Sequence, residues 1–170
     1  MEKIIINAFG NDKPGLVFKI SKIVLSLNGN IENSKMMQLE SDFTIMMLVQ
    51  ISNENIKKLK NKLNEIKELN ISYSHTNKKQ NNINYINYSF SISVADNEGI
   101  IYLYTELFKK KNINIESMET EINHAPISGF PIFNLKSILN IPEDLDILII
   151  KKELKNIAQE NNIEYKLVII

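Results

Sequence analysis

The chain has 170 residues, with 20 acidic side chains, 20 basic ones and no cysteine. Every basic residue is a lysine and the formal net charge is zero, so the cationic face and guanidinium forks of a nucleic-acid reader are missing. Without cysteine, disulfides, thiol catalysis and zinc–thiolate sites are excluded.

Lys3 to Phe9 reads as a strand that stops at Gly10. Leu16, Val17, Ile20, Ile23, Val24 and Leu27 recur at helical spacing on one face, and Asn28-Gly29 supplies the stop. Two strand-like runs follow, Asn30 to Leu39 and Phe43 to Ile51, joined by the polar turn Glu40-Ser41-Asp42. Ile56, Leu59, Leu63 and Ile66 predict a second amphipathic helix, and Leu69 to Ser74 a last strand. The series then starts again. Tyr85 to Ala95 reads as a strand, and Ile100, Leu103, Tyr104, Leu107 and Phe108 line a helix. Ile113 to Ile122 and Phe130 to Leu139 form a hairpin around the longer loop His124 to Gly129. Ile147, Ile150, Leu154 and Ile157 line a helix, and Ile163 to Ile170 is the final strand.

The recurrence is an internal repeat. Asp12 maps to Asp96, Gly15 to Gly99 and Asn30 to Asn114, each 84 positions on. The predicted fold class is therefore α+β: two ferredoxin-like βαββαβ domains in tandem, each an antiparallel sheet with helices on one face. The boundaries fall at 1–76 for the first domain, 77–84 for an Asn- and Lys-rich polar linker, and 85–170 for the second.

The repeated turn is the place where chemistry is expected. Asp12-Lys13-Pro14-Gly15 joins the first strand to the first helix, with Pro14 fixing φ at a helix start. The N–H groups of Gly15, Leu16 and Val17 point out of the helix end and can hold a carboxylate. Asp12 can accept from an α-ammonium group, and Asn30 can both donate and accept. That set suits a free amino acid. The same residues also permit a bland reading, with Asp12 capping the helix and Asn30 satisfying backbone at a strand edge. No catalytic set stands out. His75 and His124 lack metal-ligand spacing, and Ser34, Ser41 and Ser128 have no neighbouring base. Glu32 and Glu116 read as solvated strand-edge carboxylates, and Met36, Met37, Met46 and Met47 as core and interface filler. No enzyme activity, cofactor or metal is expected. The apolar run Ile4 to Ile6 is too short for a signal peptide or a membrane span, which predicts a soluble cytoplasmic protein.

Phe9 to Val17, Gly29 to Met36 with Leu39, and Phe43 to Leu48 together resemble an ACT domain, in the version found in the tandem-ACT glycine cleavage system transcriptional repressors. Pro126, Ser128-Gly129, Pro131 and Phe133, following Asn114-Ile115-Glu116, resemble that family's second domain. The resemblance implies a ligand such as glycine or serine, bound between domains or subunits by Asp12, Pro14, Gly15, Leu16, Asn30 and Ile31. It implies a second site at Asp96, Gly99, Asn114 and Ile115, degenerate because Asn97-Glu98 replaces the Lys-Pro step and adds a like charge. It further implies a repressor of glycine cleavage genes that acts on a transcriptional activator by protein contact, without direct nucleic-acid or membrane binding, and a homodimer as one packing of its sheets. Two other classes stay open: a ligand-independent interaction module, and a regulatory subunit of an amino-acid or folate enzyme.

Overall fold

A computed structural model of the chain describes residues 1–76, 84–95 and 98–170. The chain divides into two compact units, Met1–Lys79 and Gln80–Ile170. The expected linker at 77–84 lies almost wholly outside the described residues, as does Asp96.

The first unit runs β1 (Glu2–Asn11), α1 (Leu16–Ser26), β2 (Asn30–Leu39), β3 (Asp42–Ile51), α2 (Ile56–Asn64) and β4 (Asn70–His75). A 3-10 turn, Asn53–Asn55, leads into α2. The second unit repeats the series as β5 (Tyr85–Ala95), α3 (Ile100–Lys110), β6 (Asn114–His124), β7 (Pro131–Pro142), α4 (Ile147–Glu160) and β8 (Glu164–Ile169). Strand orders are β2-β3-β1-β4 and β6-β7-β5-β8, with every pairing antiparallel. This is the ferredoxin-like βαββαβ arrangement, built twice.

Period-two alternation places each core on one face of its sheet. Ile4, Ile6 and Ala8 of β1 and Ile45, Met47, Val49 and Ile51 of β3 are buried against Leu16, Ile20 and Val24 of α1 and Leu59 and Leu63 of α2. The second core holds the same positions with larger rings. Phe90, Tyr104 and Phe108 pack together, Phe90 lying 5.1 Å from Tyr104 and 5.4 Å, edge-on, from Phe108. Of the four central methionines, only Met47 fills core; Met36, Met37 and Met46 are exposed, because β3 is apolar on both faces and β2 is an edge strand.

The first helix stops at Asn28-Gly29 as the sequence suggests, and two others end in the same way. Asn28, Asn112 and Asn162 adopt left-handed φ of 53–54° just past α1, α3 and α4. The next amide then bonds back into the last turn, Gly29 to the Val24 carbonyl at 2.9 Å, and Ile113 to Phe108 and Ile163 to Ala158 at 2.8 Å. Both edge strands carry a β-bulge at the residue after Asn-Ile, which is Glu32 in β2 and Glu116 in β6.

Candidate functional site

The turn before α1 differs from the simplest capping picture. Gly15 is itself the N-cap, at φ 92° and ψ 0°, and no side chain caps the helix. Pro14 therefore precedes the cap and does not occupy the first helical position. The first amide to close on the helix is that of Lys19, on the Gly15 carbonyl at 2.9 Å. Leu16, Val17 and Phe18 thus present the free donors, one residue further along than the sequence suggests. The Asp12 amide donates to the Ser41 carbonyl at 2.9 Å, which ties the loop to the β2–β3 turn, and the Asp12 side chain is exposed. Gly99 repeats the left-handed cap ahead of α3, at φ 83°, again without a side-chain partner among the described residues.

Lysines surround the first turn. The Lys19 ammonium bonds the Glu68 carboxylate at 2.5 Å, joining α1 to the segment before β4. That bond, helped by the Glu68 backbone N–H and by nearby Lys13, holds the Glu68 carboxyl below its usual range. Gly10 is required beneath it, since a Cβ there would lie 2.3 Å from the Glu68 carbonyl oxygen. In the second unit Val94, Leu103 and Asn162 stand at the corresponding places. There they line a recess of about 320 Å3 with Ala95, Glu98 and Ile100.

The register separates the remaining candidates from the turn. Asn30 pairs with Gln50 and Gln50 with Lys3, at the far end of β1 from Asp12. Nine residues of strand, about 30 Å, lie between the two groups. Asp12, Pro14, Gly15 and Leu16 therefore cluster at one end of the sheet, and Asn30 and Ile31 at the other. Leu16 is buried and Ile31 packs on the core, so only their backbone is free to face a ligand. Ile115 likewise packs on the second core.

The two Asn-Ile-Glu ends are wired differently. In the first unit Glu32 bridges to Lys3, leaving the Asn30 side chain exposed and without a hydrogen bond to a described residue. In the second, the Asn114 amide donates to Asn140 at 2.7 Å, and Asn140 donates in turn to Asn87 and Glu116, each at 2.9 Å. Both glutamates are thus partnered bulge residues. Sequence gave no sign of it, because the partners, Lys3 and Asn140, come from other strands.

Each unit is an antiparallel sheet of the same strand order with a glycine-capped helix after its first strand. Residues 2–74, the first unit, match the ACT domain family, and the second unit repeats the same strand order. The chain is 26% identical over 163 residues to the glycine cleavage system transcriptional repressor of Escherichia coli (strain K12), covering 94% of this chain and 85% of that one. Among solved structures it is similar to an unknown protein from Galdieria sulphuraria, with a TM-score of 0.89, 25% identity, and coverage of 99% and 98% of the two chains. A second structure, described provisionally as a glycine cleavage system transcriptional repressor, shares the fold at a TM-score of 0.71 and 19% identity, covering 99% of this chain and 97% of that one. No helix of the described residues is long and apolar enough to cross a membrane.

Proposed function

We propose that this chain is an amino-acid-responsive regulator that represses glycine cleavage genes by contacting a transcriptional activator. The observation that carries this reading is similarity to a repressor of that system along nearly the whole chain. The lack of arginine and the zero net charge support action through protein and not through DNA. The ligand is a small amino acid such as glycine or serine. Its carboxylate meets the free amides of Leu16, Val17 and Phe18, and its ammonium meets Asp12. Asn30 and Ile31 lie at the opposite end of the sheet, so they reach the same ligand only from a second domain of this fold, laid antiparallel along the edge strand. Binding then stabilises that pairing, since a ligand shifts only states it binds unequally. Glycine or serine at a hundred times its dissociation constant is expected to add about 2.7 kcal/mol, a melting shift of several degrees, and Asp12→Ala to abolish it. If all twenty amino acids leave the melting curve unmoved, the sensing half is wrong.

A second reading, a ligand-independent interaction module, is favoured at the second unit by the Asn114–Asn140–Glu116 chain, which occupies the asparagine that a ligand would need. Under that reading Asp12→Ala with Asn30→Ala leaves partner binding intact and removes no amino-acid effect.

A further inference from the structure

The two sheets share a fold but not an outer surface. On the first, the face turned away from the helices carries Ile5 and Phe9 of β1, Met37 and Leu39 of β2, and Met46 and Leu48 of β3. Phe9 is 58% exposed, Met37 52%, Leu39 72% and Met46 53%. The strand registers match these six, in order, to Ser89, Ser93, Glu121, Asn123, Lys136 and Ile138 on the second sheet. Five of the six positions are polar there. The fold therefore does not require these apolar side chains, and the exposed group of Phe9, Met37, Leu39 and Met46, set around Asn7 and Thr44, marks an interaction surface on the first unit. Two of its exposed residues are methionines, whose unbranched chains adapt to a partner's shape.

We propose that this face, centred on Phe9, Met37 and Met46, docks the protein partner through which the chain acts, and that the partner presents an amphipathic segment whose apolar side chains bracket a carboxylate. The proposal rests on the regulatory reading above. Charge selects the occupant. Lys35 stands beside Met46 in the register and has no ion pair among the described residues. The other lysine on this face, Lys3, is already neutralised by Glu32. A second copy of the same face would cover Lys35 with an apolar surface whose carboxylates are confined to the hairpin corner, at Glu40 and Asp42, and to Glu32, already paired with Lys3, and an ammonium buried without a partner is costly. An acidic amphipathic partner covers the apolar residues and pairs Lys35 at once.

The second sheet supplies the test variant. Phe9→Ser with Met37→Glu copies residues that the same positions already carry in Ser93 and Glu121. Binding of the purified full chain to the purified glycine cleavage activator of the same organism is measured by calorimetry, with thermal melting as the folding check. Expected are a loss of about 30-fold or more for the double variant and about tenfold for Lys35→Glu, while Lys136→Glu on the second sheet stays within about twofold. Equal binding by wild type and double variant overturns the surface and leaves the regulatory reading standing. No binding by wild type overturns the partner half of that reading and the surface with it. If sedimentation without the activator shows the double variant dissociating an oligomer that wild type forms, the face belongs to a second copy and the proposal falls.

Discussion

At the scale of single residues, the left-handed Gly15 and the orphaned Tyr104 hydroxyl are the positions where a small change tells most. Gly15 has open space where a Cβ would go but sits at φ 92°, so Gly15→Ala costs backbone strain alone, about 1–2 kcal/mol by chemical denaturation. Gly10→Ala is expected to cost more, since the Glu68 carbonyl must move. Tyr104 is fully buried beside Phe90 and Phe108, and its hydroxyl has no hydrogen-bond partner among the described residues. Burial, with a smaller contribution from Tyr165, pushes that hydroxyl up to about 12. Removing it in Tyr104→Phe is expected to stabilise the protein by about 1 kcal/mol. The folded state keeps this proton above the ordinary value of 10.0, so stability falls as pH rises from 10 toward 12. The Phe variant should lose less stability over that range, which alkaline denaturation curves would show. None of this was legible in the sequence, where Tyr104 read only as one more apolar position on a helix.

At the scale of elements, capping and ion pairing divide the helices. Asp146 caps α4, its carboxylate accepting from the Leu148 amide at 2.8 Å, whereas α1 and α3 start on bare glycines. Asp146→Ala should therefore destabilise the second unit by about 1 kcal/mol. Asp12→Ala should leave thermal stability nearly unchanged in the absence of ligand, which separates a binding role from a capping one. The Lys19–Glu68 bridge works at the same scale. With its folded value lowered, Glu68 contributes stability above its ordinary 4.5 that disappears as pH falls through the folded value. Lys19→Met is expected to flatten that part of the acid-unfolding curve. The strands were readable because apolar residues alternate, and the helices because theirs recur at three and four. The bulges at Glu32 and Glu116 were not, since one extra residue in an edge strand leaves no mark on composition. Nor was the outer face of β3, because Met46 and Met47 look alike in a string and differ only in the side they face.

At the scale of the whole molecule, each unit has a core of its own, and each accounts for its own sheet. Leu154→Ala, at a fully buried position in the second core, should cost about 2–5 kcal/mol there. Amide exchange in β1 and β3 should keep its protection if the units unfold separately. The repeat made this two-part plan visible from the start, through landmarks 84 positions apart. The division of labour was less visible. The free Asn30 and exposed Phe9, Met37 and Met46 of one unit, and the tied Asn114 and polar residues Ser93, Glu121 and Lys136 at the matching places of the other, emerge only when strand registers are compared. The contrast between the cores has a consequence for assembly at the ribosome. Tandem copies of one topology invite a strand of the first to be accepted into the sheet of the second. Here Ile6, Ile20 and Val24 stand where the other core has Phe90, Tyr104 and Phe108. A β1 strand lodged in place of β5 would leave a void where the Phe90 ring belongs. A β5 strand lodged in place of β1 would bring a ring too large for its surroundings. The two halves are alike in plan and mismatched in cross-section, and that mismatch guards a self-similar chain against joining itself wrongly.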